Sequence, residues 1–187
     1  MRGRHDEVWE RLLAGNDRFV QGNPSPRDLI REREAVVAGQ RPLAAVLACS
    51  DSRVDIGVIF DVPLGTVFAV KTAGGVADVA ALGSLEYAVG HLKVPLLVVM
   101  GHDDCGALRA ASGSALPEGA FGAVVTTVRK NISGAASFED AIVQHTRQVA
   151  TDLITRSPVL RQACAAGALS VVAAHYTLAD GRVMTLA

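Results

Sequence analysis

The chain has 187 residues, with 18 Lys and Arg against 19 Asp and Glu for a formal charge of −1. At about 150 residues per domain this is one domain with a small extension. Half of the residues are hydrophobic and 20% are charged, which excludes a disordered chain, and the even balance lacks the basic excess of a nucleic-acid binder.

The elements follow in chain order. Residues 6–20 space Val8, Leu12, Leu13, Phe19 and Val20 as one amphipathic helix or two. Residues 21–27 (QGNPSPR) read as a linker, and residues 28–38 as a second helix. The run Arg31, Glu32, Arg33, Glu34 reads there as a solvated face. Residues 1–40 thus form an N-terminal helical arm, and residues 41–187 a single α/β domain. In that domain the apolar runs Leu43–Ala48, Thr66–Val70, Leu96–Met100 and Ala168–Ala174 read as buried parallel strands. Helical patterns lie between them at Val79–Leu92, Cys105–Ala111 and Phe138–Thr155. Asp180-Gly181 marks a closing hairpin between Ala174–Leu178 and Val183–Leu186. The expected fold class is α/β, a mainly parallel sheet of four strands with an antiparallel C-terminal edge strand, flanked by helices.

No apolar run approaches the ~20 residues of a membrane span, and the N-terminus has no apolar core of a signal peptide. A cytoplasmic location without membrane contact is expected. The three cysteines, Cys49, Cys105 and Cys164, are an odd count in a chain large enough to build its own core. That argues against disulfides and for metal or catalytic use. Cys164 sits among alanines on a helical pattern and reads as core.

Functional residues of open parallel sheets collect beyond the C-terminal ends of strands. The first strand ends in Cys49, Ser50, Asp51, Ser52, Arg53, and the third in Gly101, His102, Asp103, Asp104, Cys105. If those strands are neighbours, Cys49, His102 and Cys105 converge, and two thiolates with an imidazole suit zinc. A catalytic zinc keeps its fourth position open, whereas a structural one fills it. Cys164 or Asp51 could fill it, or Asp51 could stand beside the metal, held by Arg53 in a bidentate pair. One of Asp103 and Asp104 is expected to supply negative charge at a helix N-terminus.

ACSDSR followed by GHDDCGAL resembles the beta-class carbonic anhydrases, whose signature is C-x-D-x-R with a later H-x-x-C-G. The resemblance extends over LLAGNDRFV (12–20), VIFDVPLGTVFAVKTAGGV (58–76), GSLEYAVGHLKVPLLVVMGHDDCGAL (83–108) and VVAAHYTLADGRVMTLA (171–187). It implies one Zn²⁺ per subunit on Cys49, His102 and Cys105, with Asp51 and Arg53 as a catalytic dyad. It also implies N-terminal helices that embrace a second subunit, an active site at the dimer interface, and a homodimer that is often paired again into a tetramer. The implied reaction is the reversible hydration of CO2 to bicarbonate and a proton by zinc-bound hydroxide. Two thiolates leave such a zinc site near neutral, so it lowers the pKa of water less than a three-histidine site does, and activity should rise at alkaline pH. His5, His91, His145 and His175 are candidate proton shuttles.

The chain departs from the family after the second strand. Lys71-Thr72-Ala73-Gly74-Gly75 stands where the family has Arg/Lys-Asn-Ala-Gly-Asn, so two amide side chains are missing. Residues between Ala111 and Phe138 are Gly/Ala-rich, which points to a reduced cleft wall. Two alternatives share the site: a COS or CS2 hydrolase, and a zinc-dependent bicarbonate-binding regulatory protein with low turnover.

Some bacterial members of the family bind an inhibitory bicarbonate through a Trp three residues before the first zinc cysteine, with an Arg and a Tyr. That Trp position is Val46 here, and the Arg position is Lys71. Without the indole N–H and the guanidinium fork, rate measurements against bicarbonate should show no cooperative inhibition. A steep, multi-proton fall in rate that bicarbonate deepens would contradict this.

Overall fold

The computed structural model describes residues 3–186. Helix α1 spans Arg4–Val20, opened by the Gly3 N–H donating to the Asp6 carboxylate at 2.9 Å. It buries Val8 and Leu12 against its own sheet, with Phe60, Leu96 and Val183 in the same cluster. Asn16, almost fully buried, ties the helix down. Its amide donates to the carbonyls of Ile59 (3.1 Å) and Gly181 (2.8 Å), and its oxygen accepts the Val183 N–H at 2.8 Å.

Helix α2 spans only Leu29–Ala35, shorter than the 28–38 expected, and buries none of its residues. Two carboxylates clip this stretch to the body. Asp61 accepts from Arg18 Nε (2.6 Å), Ser25 N (3.0 Å) and Ser25 Oγ (2.9 Å). Glu32 takes a bidentate pair from Arg27 and the Leu64 N–H at 3.0 Å. The charge run is therefore not a plain solvated face, because Glu32 turns inward to a backbone donor.

The body runs β1 (Ala44–Cys49), α3 (Ile56–Ile59), β2 (Val67–Thr72), a single 3-10 turn (Ala73–Gly75), α4 (Val79–Gly90) and β3 (Leu96–His102). It continues through α5 (Gly106–Ser112), α6 (Gly119–Asn131), α7 (Phe138–Arg156), α8 (Pro158–Ala165), β4 (Ser170–Tyr176) and β5 (Val183–Thr185). The sheet order is β2-β1-β3-β4-β5, with β5 alone antiparallel. This is the predicted α/β architecture. Alternation along β1 and β3 sends Val46, Ala48, Val98 and Met100 to the face covered by α1 and α3, and Leu47, Leu97 and Val99 to the face covered by α4, α7 and α8. Helices start where side chains satisfy their first amides: Asp78 accepts from Ala81 N, Ser137 from Asp140 N, and Ser157 from Leu160 N.

Three helices, α3, α6 and α8, have no counterpart in the sequence reading. Helix α6 fills the stretch expected to be reduced; it is rich in Gly, Val and Thr, weak helix formers, and is held by burying Val125 and Val128 against α5 residues. Helix α8 carries the half-buried Cys164 against the second cluster, away from the other two cysteines. No helix among the described residues is long and apolar enough to cross a membrane.

Asn16→Ala would leave two backbone carbonyls and one N–H buried and unpaired, a cost of about 3 kcal/mol. Thermal unfolding should show a Tm lower by about 6–12 °C. An unchanged Tm would mean that α1 is not held by these bonds.

Candidate active site and metal centre

β1 and β3 are parallel neighbours, registered from Ala45 opposite Leu97 to Ala48 opposite Met100. Cys49 and His102 therefore emerge at the same end of the sheet. The chain places β2 on one side of β1 and β3 on the other, so the connections diverge here and leave the crevice that parallel sheets use for ligands. Cys105 joins them from the turn that enters α5.

The donor atoms of Cys49, His102 and Cys105 all lie within 4.8 Å of one another, and all three residues are buried. The two sulfurs are 3.9 Å apart. His102 Nδ1 lies 2.7 Å from the Asp103 carbonyl, so Nδ1 carries the proton and Nε2 presents a lone pair. That Nε2 is buried without a hydrogen-bond partner, a costly condition that a metal ion would relieve. The facing thiols drive each other apart: Cys105 favours the thiolate on Cys49 and lowers its pKa, while Cys49 and burial push Cys105 up. Two thiolates at this distance need a cation between them. Sulfur and imidazole donors fit zinc and do not fit Ca²⁺ or Mg²⁺, which take oxygen ligands. A cavity of about 20 Å³, room for one water, lies among Cys49, Gly74, Gly75, His102, Cys105 and His145.

Asp51 stands beside this trio, outside it. Arg53 holds it side-on, through Nε to Oδ1 (3.0 Å) and Nη2 to Oδ2 (2.8 Å), and the Arg53 N–H adds a third bond to Oδ1 at 2.9 Å. These bonds, foremost the guanidinium's, hold the carboxyl well below the usual carboxylate range. Lys71 fixes the turn, its Nζ donating to the carbonyls of Asp51 (3.2 Å) and Val54 (2.6 Å). The structure thus brings Cys49, His102 and Cys105 together with Asp51 and Arg53 next to them, and leaves Cys164 elsewhere. Neither acidic neighbour takes the expected helix N-terminal role. Asp103 accepts the Leu178 N–H at 2.7 Å, and Asp104 bridges Arg53 and Arg109.

The sequence reading missed what supports Cys49 from behind. Asn131 donates to His145 Nδ1 at 3.3 Å, so His145 is neutral and its Nε2–H donates to the Gly74 carbonyl at 2.8 Å. Gly74 and Gly75 both have positive φ (66° and 65°), which lets the turn pass close over β1; the Gly74 amide in turn favours the Cys49 thiolate. Thr72, in place of the family amide, closes this turn by donating to the Val76 carbonyl at 2.8 Å. Only the Gly-Gly pair signalled this in the sequence. Nothing marked out His145 from the other histidines.

Comparison with known proteins agrees with this geometry. The family profile described as carbonic anhydrase matches residues 44–183. Carbonic anhydrase 2 of Mycobacterium tuberculosis is 40% identical over 95% of this chain and 90% of its own length. The carbonic anhydrase of Mycolicibacterium smegmatis is 42% identical over 94% and 90%. A Coccomyxa beta-carbonic anhydrase solved with acetazolamide superimposes with a TM-score of 0.76 at 26% identity, covering 84% of this chain and 77% of that one. A tetrameric beta-carbonic anhydrase from Sordaria macrospora shares the fold, with a TM-score of 0.73 at 22% identity over 96% and 97%. Family profile, near full-length relatives and fold agree: the chain is an enzyme of the carbonic anhydrase family, in its beta class.

Proposed function

We propose that this enzyme catalyses the reversible hydration of CO2 to bicarbonate and a proton, with one zinc ion per subunit held by Cys49, His102 and Cys105. The observation that carries the reading is the three-donor buried group with an ionised carboxylate beside it that a guanidinium holds back. Zinc bound there would lower the pKa of a water, though less than a three-histidine site does, and so would supply a nucleophile that strengthens toward alkaline pH. Asp51, held by Arg53, would be the hydrogen-bond acceptor beside the donor group and would orient the attacking water or hydroxide toward CO2. Arg53 keeps Asp51 ionised, fixes the plane of its carboxylate, and prevents it from becoming a fourth protein ligand. Buried walls of Val76, Leu108 and Ile142 near the donors suit an apolar substrate. A bicarbonate sensor has no need of an orienting dyad, so the intact Asp51–Arg53 pair favours turnover. COS and CS2 require the same geometry, and side-by-side rates distinguish them from CO2.

The same reading takes a homodimer, or a pair of dimers, as the working unit. Helix α1 is committed to its own sheet, so the part of the 1–40 arm free to reach a second copy is the stretch around α2, where Leu29, Ile30 and Val37 are exposed. The cytoplasmic setting remains part of the reading, because free thiols in ligand positions suit a reducing compartment.

Stopped-flow CO2 hydration across pH, with zinc measured on the same sample, tests the assignment; a zinc-replete protein that hydrates no CO2 would overturn it. Cys49→Ser should lose zinc and activity together, because a hydroxyl is a poor zinc ligand. Stoichiometric zinc in that variant at neutral pH would remove Cys49 from the ligand set. Arg53→Ala should retain zinc while kcat falls by more than about tenfold, and unchanged turnover would remove the dyad from the mechanism.

A further inference from the structure

Arg53 has a second partner that the dyad does not require. Asp51 occupies the Nε and Nη2 edge of its guanidinium. On the adjoining Nη1/Nη2 edge, Nη1 donates to Asp104 Oδ2 at 3.2 Å, and Nη2 reaches the Asp104 carbonyl at 3.4 Å. The other oxygen of Asp104 accepts from Arg109 Nε. The Arg109 guanidinium in turn lies over the Phe138 ring, 5.0 Å from its centroid. The charges alternate from Asp51 through Arg53 and Asp104 to Arg109, and the far end is anchored on the first residue of α7.

Asp104 also adopts the left-handed backbone conformation, with φ of 55°. Glycine fits there without strain, and Asp or Asn only at a modest cost. The strained position lies between two residues of the metal group, His102 and Cys105. The ion pairs do not account for it as a source of stability. Both side chains are about half exposed, 49% for Arg53 and 46% for Asp104, and exposed pairs contribute little to folding. What Asp104 adds is orientation. A guanidinium gripped on one edge swings about that grip, whereas one gripped on two edges is fixed in plane.

We infer that Asp104 is a positioning residue for the hydration reaction: it holds Arg53 by the edge adjoining the one that Asp51 occupies, so that the Asp51 carboxylate stays aligned beside the metal group. The inference rests on the role assigned above to Asp51 and Arg53. It assigns Asp104 no contact with substrate or metal.

The backbone makes the test sharp, because strain and positioning predict effects of opposite sign. Asp104→Gly relieves the left-handed strain, so Tm of the zinc-loaded protein should hold or rise. The same change should lower kcat by about three- to tenfold, with KM and zinc content unchanged. Asp104→Asn tolerates the same φ and retains one acceptor for Arg53, so it should recover part of the loss. In the Arg53→Ala background, Asp104→Gly should cost nothing more, since no guanidinium is left to hold. Losses that multiply in the double variant, or full kcat in Asp104→Gly while Arg53→Ala is impaired, overturn the inference and leave the dyad standing. A fall in both Tm and kcat would show a structural role and would overturn it too. If Arg53→Ala itself keeps full kcat, the dyad reading fails and this inference with it.

Discussion

The structure depends on the parallel pairing of β1 with β3. Every other feature of the site follows from which residues stand at the carboxyl ends of those two strands. The register sets Ala48 opposite Met100, so Cys49 and His102 leave the sheet together, and the turn after His102 returns Cys105 to the same point. A slip of one residue would send each donor to the opposite face. The buried apolar alternation on both faces resists such a slip: Val46 and Ala48 fit under α1 and α3 only in this register, and Leu47 fits against the α4 side only in this register.

A buried cluster of two thiols and an imidazole is unfavourable in isolation, because desolvation disfavours the charge that ligation needs. The surrounding groups reduce that cost piece by piece. The Asp103 carbonyl sets the His102 tautomer, the Gly74 amide favours the Cys49 thiolate, and His145 with Asn131 holds Gly74 in place. Asp51 is managed in the opposite sense. A carboxylate so close to three donors is a natural fourth ligand, and the Arg53 fork restrains it. The chain thus gathers three buried donors and holds Asp51 beside them, outside the group.

Much of this was legible in the chain itself. The four apolar runs between helical patterns named the strands within a residue or two, and Asp180-Gly181 named the hairpin. The C-x-D-x-R and H-x-x-C spacings pointed to five candidate residues, which the fold places side by side. What stayed hidden depends on tertiary contact. Helix α6 is made of weak helix formers and is stabilised by burying Val125 and Val128, which local pattern does not reveal. His145 lies 71 residues from Gly74, and no short-range signal joins them. Glu32 looked like one charge in a solvated run because its partner, the Leu64 N–H, belongs to a loop 32 residues away. One of Asp103 and Asp104 read as a helix-start charge, but the backbone of Asp104 turns left-handed and its carboxylate bonds Arg53.

The sulfurs of Cys49 and Cys105 are 56 residues apart along the chain. Closing a loop of that length costs conformational entropy that grows with the logarithm of its size. An unfolded chain cannot present this donor set, although it can offer His102 and Cys105 as a weak local pair. A cation held by this group would therefore have to wait on strand pairing, and would then cross-link two strands already side by side. Loading would then stiffen the chain where two rows of backbone hydrogen bonds come to an end.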